Sequence, residues 1–318
     1  MKFATIGHLD YEKRIEQIPK EWIQKSLIIS PEFNFKETQG HFIVLKLTAK
    51  QMMTLERAKI RRKILEAARF AYDKLNVELI QLGALTTSVT DGGVWLAEQK
   101  EYAGLVNHGD SYTAATTAQA VIKSMNFFKK IPSDQTLAIV GAYGVIGEAL
   151  SKILVPKFSY SFLIGRREQK LKELESNLKG DFKTTIELET AKYADVVVTA
   201  TNHPTALLKS EQLKKNAIVI DVSQPPNVSQ EICQIRPDIC RMDGGYVDVP
   251  GRIQLPGMPV GKIFACIAEV IMQSIENERM NHVGSIDLEH LKKTERWADM
   301  YGYKLNELTN FGRVIQIF

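Results

Sequence analysis

Three cysteines in 318 residues are too few, and odd in number, for a disulfide framework; so sparse a set suits a reducing compartment. No stretch reaches the roughly 18 consecutive apolar residues that a membrane span needs. The opening MKFATIGHLDYEKR has neither the apolar core nor the cleavage site of a signal peptide. The expectation is a cytoplasmic chain with no membrane span. Charge of one sign is also scarce. With 41 basic and 37 acidic residues the net charge is +4, which excludes the footprint of a nucleic-acid binder. Cys233 and Cys240, in EICQIRPDIC, have no histidine or second cysteine pair beside them, so no metal site is expected. Repeats and low-complexity segments are absent. What remains is 44% hydrophobic and 25% charged residues, the balance of a globular protein, at a length that suits two domains.

The first third reads as a small α/β unit. Phe3–Gly7 and Phe42–Leu47 are short β-like runs, and Thr54–Leu75 is an amphipathic helix with a basic outer face. The charge run Arg57–Lys63 is either that solvated face or a docking surface for an acidic carrier. VELIQLGALTTSV predicts a strand stopping at Asp91-Gly92-Gly93. A helix capped by Asp110 or Ser111 runs to about Lys130 and links this unit to the next. From there strands and helices alternate, which implies crossover units and a parallel sheet. The expected fold is a Rossmann-type doubly wound α/β sheet plus a smaller N-terminal α/β domain, with a C-terminal helix returning to the cleft. The expected division is 1–112, 113–248 and 249–318, the last segment helical after a Gly/Pro-rich loop.

One turn carries specific chemistry. The strand Leu137–Val140 runs into Gly141-Ala142-Tyr143-Gly144-Val145-Ile146-Gly147 and then a helix. Glycines at this spacing let the backbone turn tightly and approach a pyrophosphate, while the helix N-terminus offers free N–H groups. The strand and helix on either side supply the required context for a dinucleotide site. An NAD-selective site carries an acidic residue at the end of the next strand; here Gly165-Arg166-Arg167 stands there instead. A guanidinium grips a 2′-phosphate with paired hydrogen bonds, so NADPH is favoured, Arg166 above Arg167. The loops Thr199–Asn202 and Asp221–Gln224, with Thr201 and Ser223, end later strands and should face the nicotinamide side.

Cys266 lies in GKIFACIAE, about one turn inside a predicted helix that follows the Gly/Pro-rich loop. A cysteine in an apolar helix is ordinarily packing. Lys262, four residues back, would favour a thiolate, whereas Glu269, three residues on, opposes it. Spacing alone leaves both readings open.

At this helix the sequence resembles the long-chain acyl-(acyl-carrier-protein) reductases of cyanobacteria and their bacterial relatives. The likeness runs from Ile6-Gly7-His8-Leu9 through Arg61-Arg62-Lys63-Ile64, Leu82-Gly83-Ala84, Gly141–Gly147, Ile164-Gly165-Arg166 and Gly244-Gly245. Its most specific piece is Ile263-Phe264-Ala265-Cys266 with Ala268-Glu269. Two departures stand beside it: Gly109-Asp110-Ser111 replaces a TGN, and the segment before the cysteine helix is shorter and richer in Pro and Gly.

The resemblance implies NADPH-dependent reduction of a long-chain acyl thioester, on acyl carrier protein or acyl-CoA, to an aldehyde. Cys266 would take up the acyl group and, after hydride transfer, release the aldehyde. Glu269 would shuttle a proton or merely satisfy a buried donor, and His8 would polarise the carbonyl or serve as a core or capping residue. An aldehyde-consuming enzyme is the implied partner, and a homo-oligomer is compatible with the sequence. Two alternatives remain: an NADP-dependent dehydrogenase of a small keto, amino or hydroxy acid with no covalent intermediate, and a non-catalytic NADP(H)-binding regulator.

Overall fold

A computed structural model describes residues 1–9, 11–203, 205–251, 255 and 258–315, so parts of the expected Gly/Pro-rich loop, at 252–254 and 256–257, lie outside the described residues. The chain forms two compact units, Met1–Gly109 with Cys266–Asp287, and Asp110–Ala265 with Leu288–Phe318. The segment 249–318 therefore does not stand by itself; it is shared between the units, and Asp110–Tyr112 fall in the second.

The first unit is built on a six-stranded sheet of β1 (Phe3–Leu9), β2 (Leu27–Ile29), β3 (Phe33–Phe35), β4 (Thr38–Thr48), β5 (Leu79–Leu82) and β6 (Leu105–Asn107). Its order is β2-β4-β1-β5-β6, with β3 also on β4. The pairs β4–β1–β5–β6 are parallel, and β2 and β3 run antiparallel to β4. Alternation in β1 and β5 turns Ala4, Ile6, Ile80 and Leu82 to one core. Against it packs α2 (Arg57–Leu75) through Ile60, Ile64, Ala67, Ala68 and Ala71, whose small residues allow close approach. The predicted helix from Thr54 is interrupted. A separate turn, α1 (Ala49–Thr54), is closed by a capping box between Thr48 and Gln51, and Leu55 is extended.

The predicted strand from Val77 to Val89 stops at Leu82. Beyond it the chain coils into α3 (Leu85–Val89), then α4 (Val94–Ala97). Local threonines explain the change: Thr86 Oγ1 donates to Gly83 O at 2.7 Å and Thr87 Oγ1 to Leu82 O at 2.8 Å, which favours a turn over a ladder.

In the second unit α5 (Asp110–Phe127) begins at Asp110 itself and is buried along most of its length. Six parallel strands follow: β7 (Thr136–Val140), β8 (Tyr160–Ile164), β9 (Phe182–Thr185), β10 (Val196–Thr199), β11 (Ile218–Asp221) and β12 (Cys240–Asp243). They are ordered β12-β11-β10-β7-β8-β9. Counted from β7 this is 3-2-1-4-5-6, the order of a Rossmann dinucleotide-binding sheet. Intervening helices are α6 (Val145–Leu154), α7 (Glu168–Glu175) and α8 (Gln230–Ile235). Ile139, Val196 and Val198 feed one apolar layer while Ala138, Val140 and Val197 feed the other, so both faces are covered, as a parallel sheet requires.

The helix predicted from Gly261 starts later. Lys262–Phe264 is a strand, β14, paired antiparallel with β13 (Tyr246–Asp248), and the Tyr246 and Phe264 rings stack at 4.7 Å. Lys262 is held there by ion pairs with Asp248 and, at 3.0 Å, Glu307. Only then does α9 (Ala265–Ile275) begin, followed by α10 (Leu288–Tyr301) and a small hairpin of β15 (Thr309–Asn310) and β16 (Arg313–Val314). Within the first unit α9 is tied to the sheet by Gln273, which accepts from Asn107 Nδ2 at 2.7 Å, and by Ser274, whose carbonyl accepts from the Met1 amino group at 3.1 Å.

Candidate functional site

The glycine turn leaves the first strand of the Rossmann sheet at its carboxyl end, where such sheets bind ligands. Gly141 has φ +92, and a Cβ on it would lie 2.3 Å from Ala200 O, so position 141 admits no side chain. A Cβ on Gly147 would lie 2.0 Å from Gly141 O; α6 packs directly onto the turn. Gly144 is the N-cap of α6 and offers no side chain to its leading amides. Val145, Ile146 and Gly147 therefore present N–H groups and the positive end of the helix, a seat for a pyrophosphate.

Beyond β8, Gly165 gives way to Tyr143: a Cβ there would meet the ring at 2.4 Å. The Arg167 guanidinium lies 5.6 Å above the same ring. Arg166 is exposed and makes no hydrogen bond or ion pair among the described residues. The acidic residue that follows, Glu168, opens α7 and pairs with Lys172 at 3.4 Å. A free guanidinium at this strand end fits a 2′-phosphate.

The loops after β10 and β11 are knitted together by a residue that sequence reasoning passed over. Thr201 N–H donates to Ser223 Oγ at 3.0 Å; the hydroxyls of Thr201 and Ser223 donate to Asn227 Oδ1 at 2.6 and 3.0 Å. Asn227 is fully buried, and its Nδ2 has no partner among the described residues. Its position in QPPN was the available signal, an Asn in a loop that follows a strand end. Below it, Asp221 accepts from Thr199 Oγ1 at 2.7 Å, from Val228 N at 3.0 Å and from Arg241 Nη2 at 3.2 Å. Arg241 also donates to Asp243 at 2.6 Å, and all three charged groups are buried. This network fixes the strand ends. It was not legible from spacing because its members lie on different strands.

The predicted chemical residues Cys266, Glu269 and His8 all fall in the first unit. Cys266 is the second residue of α9 rather than a turn inside a helix, so it sits at the positive helix end. Lys262 does not share its helix; strand geometry and the Asp248 and Glu307 pairs replace the expected four-residue spacing. The half-buried Cys266 lies against the end of β6: a Cβ on Gly109 would lie 2.5 Å from its Cβ. Glu269, one turn on, is fully buried. His8 Nδ1 is 2.9 Å from Leu9 O, which can only accept, so that nitrogen carries the proton; Nε2 accepts from Leu85 N at 3.4 Å. Burial pushes the thiols of Cys233 and Cys240 up, consistent with packing. On α2, Arg57 and Arg61 fold onto Asp91, and Arg61 lies over Trp95, while Lys59 and Arg62 stay exposed.

A family model described as shikimate / quinate 5-dehydrogenase matches residues 125–240, the stretch from late α5 to the start of β12. Among curated proteins the chain is similar to Aminotransferase PigE of Serratia sp. (strain ATCC 39006), 24% identical over 99% of this chain and 41% of that protein. The chain thus spans well under half the length of that relative. Among solved structures it is similar to L-tryptophan dehydrogenase from Nostoc punctiforme, 14% identical, covering 96% of this chain and 80% of that one at a TM-score of 0.46. It is also similar to the yhdH oxidoreductase from Salmonella enterica in complex with NADP, 13% identical over 42% and 43% of the two chains, TM-score 0.33.

Proposed function

We propose that this protein is an NADP(H)-dependent oxidoreductase acting on a carbonyl carbon or its reduced counterpart. The observation that carries the reading is the turn Gly141–Gly147, where a Cβ at 141 or 147 would strike the backbone, on the first strand of the 3-2-1-4-5-6 sheet, with exposed Arg166 at the end of the second. The cofactor, when bound, supplies or takes up a hydride. The chain's own part is to seat the pyrophosphate on the amides of Val145–Gly147 and the 2′-phosphate on Arg166. Thr201, Ser223 and Asn227 hold the loops on the ligand side of the sheet, with Asn227 Nδ2 a donor that has no partner among the described residues.

For the substrate, the match to the shikimate / quinate 5-dehydrogenase model favours a small keto, hydroxy or amino acid handled without a covalent intermediate. One observation favours the acyl-thioester reading instead: Cys266 at the first turn of α9, half-buried, with the Gly109 backbone against it. In that reading the thiolate forms an S–C bond to the acyl carbon as the carrier thiol leaves. The bound acyl group accepts hydride, and the hemithioacetal collapses to aldehyde and free thiol.

One experiment sorts these. The protein is incubated with a long-chain acyl-CoA in the absence of NADPH, and intact mass is measured for wild type and Cys266→Ala. An adduct that Cys266→Ala abolishes, discharged as aldehyde on adding NADPH, supports thioester reduction and rejects the small-acid reading. No adduct, together with NADPH oxidation by small keto acids, supports the dehydrogenase. NADPH binding with neither activity leaves a regulator, and failure to bind NADPH defeats the oxidoreductase reading itself.

A further inference from the structure

The two faces of the first unit's sheet differ in chemistry. Ala4, Ile6, Ile80, Leu82 and Val106 belong to the apolar core that includes α2. On the other face a polar row crosses three strands, because Thr5 pairs in register with Gln81 and Gln81 with Asn107. Asn107 is satisfied by Gln273 and by the Gly109 amide. Gln81 is only half satisfied. Its Nε2 donates to Leu82 O at 2.7 Å and His108 O at 3.4 Å, but Oε1 has no partner among the described residues, and neither does Thr5 Oγ1. Gln81 is 0% and Thr5 8% exposed. Unpartnered polar atoms at this depth oppose folding, and a methyl in place of the hydroxyl would remove the penalty.

Two residues beyond Thr5, on the same face of β1, stands Gly7, and two residues beyond Gln81, just past the end of β5, stands Gly83. A Cβ at Gly7 would meet nothing within 4 Å. One at Gly83 would lie 3.7 Å from both Gln81 Oε1 and Thr5 Cγ2. Side-chain volume is therefore missing at Gly7 and Gly83, and at Gly83 it borders Gln81 Oε1 and the Thr5 methyl.

We propose that this hollow seats a polar group of the substrate, an N–H or O–H donor, accepted by Gln81 Oε1 and steadied by the Thr5 hydroxyl. That the occupant is a substrate rests on the oxidoreductase reading above; the binding site does not. An unfunctionalised acyl chain is the wrong occupant, because it would leave both polar atoms unpaired. A 2-hydroxy or 2-amino acid carries the required donor, and so does the amide of a pantetheine arm.

The test titrates wild type, Thr5→Val and Gly7→Ala with L-lactate, L-alanine, pantetheine and the donor-free propionate, followed by calorimetry and thermal melting. The expected result is that wild type prefers at least one donor-bearing probe to propionate. Thr5→Val should reduce that preference about threefold to tenfold, the worth of one hydrogen bond, while its melting temperature holds or rises. Gly7→Ala should block binding without loss of stability. Preference for lactate or alanine assigns a small acid; preference for pantetheine alone assigns a thioester. The proposal is overturned if no probe is preferred to propionate, if Thr5→Val binds as wild type does, or if Thr5→Val lowers the melting temperature, which marks the hydroxyl as structural. NADPH affinity, read separately by nicotinamide fluorescence, should be unchanged in both variants. Its absence in wild type would sink the oxidoreductase reading and leave this site to stand or fall on the titration.

Discussion

Arg166→Gln isolates the cofactor preference. Arg166 is exposed at the end of β8 and makes no hydrogen bond or ion pair among the described residues, so its removal breaks no native contact. Stability should stay within about 0.5 kcal/mol of wild type. A hydrogen bond to a charged group contributes roughly 1.5–3 kcal/mol. The site is open to solvent, and Arg167 remains one residue away, so the lower part of that range applies. About 1.5–2 kcal/mol corresponds to a roughly 10–30-fold rise in the Kd for NADPH. NADH lacks the 2′-phosphate, so its Kd should move by less than about twofold, within the scatter expected of a surface change. Parallel fluorescence titrations of both nucleotides measure this directly, and added salt should narrow the gap between variant and wild type. The reasoning fails if both nucleotides weaken equally or NADPH does not weaken at all. Arg167→Gln is the natural companion, since it removes the guanidinium from the Tyr143 ring.

Two further outcomes concern the sheet that carries the site. Arg241→Ala leaves Asp221 and Asp243 buried without their shared cation and should cost about 3–5 kcal/mol in denaturant unfolding, as breaking a buried pair does; a loss under about 1 kcal/mol would show that the other donors suffice. Asp195 is subject to burial, which raises its pKa, but Lys214 at 2.5 Å and the Thr136 amide outweigh burial and hold it below the usual carboxylate range. A depressed carboxylate stabilises the fold above its unfolded pKa of about 3.9 and loses that contribution as pH falls through the folded value. Wild type should therefore be more stable than Lys214→Met at neutral pH, with the two melting curves converging below about pH 4; a constant gap across pH would refute the pairing.

Much of the second unit was legible because its signals are local. Strand-then-glycine-then-helix at Leu137–Leu154, the strands at Val196–Thr199 and Ile218–Asp221, and Arg166 after the next strand are contiguous patterns, and each stands where spacing placed it. The failures share a different cause. Thr86 and Thr87 turned a β-like run into a helix by bonding to their own backbone, and Lys262 was drawn into a strand by partners 14 and 45 residues away. Strands β9 and β12 went unread because their neighbours in the sheet, not their own composition, make them strands.

The sequence by itself determined the dinucleotide turn and the alternation that makes a parallel sheet, because both depend on residues adjacent in the chain. Tertiary structure alone decided that Cys266 sits in the first turn of a helix against Gly109, that Asn227 joins Thr201 to Ser223, and that Thr5 Oγ1 and Gln81 Oε1, on paired strands, have no partner among the described residues. Those facts are pairings between segments far apart in the chain, and they arise only when strand register brings the segments together.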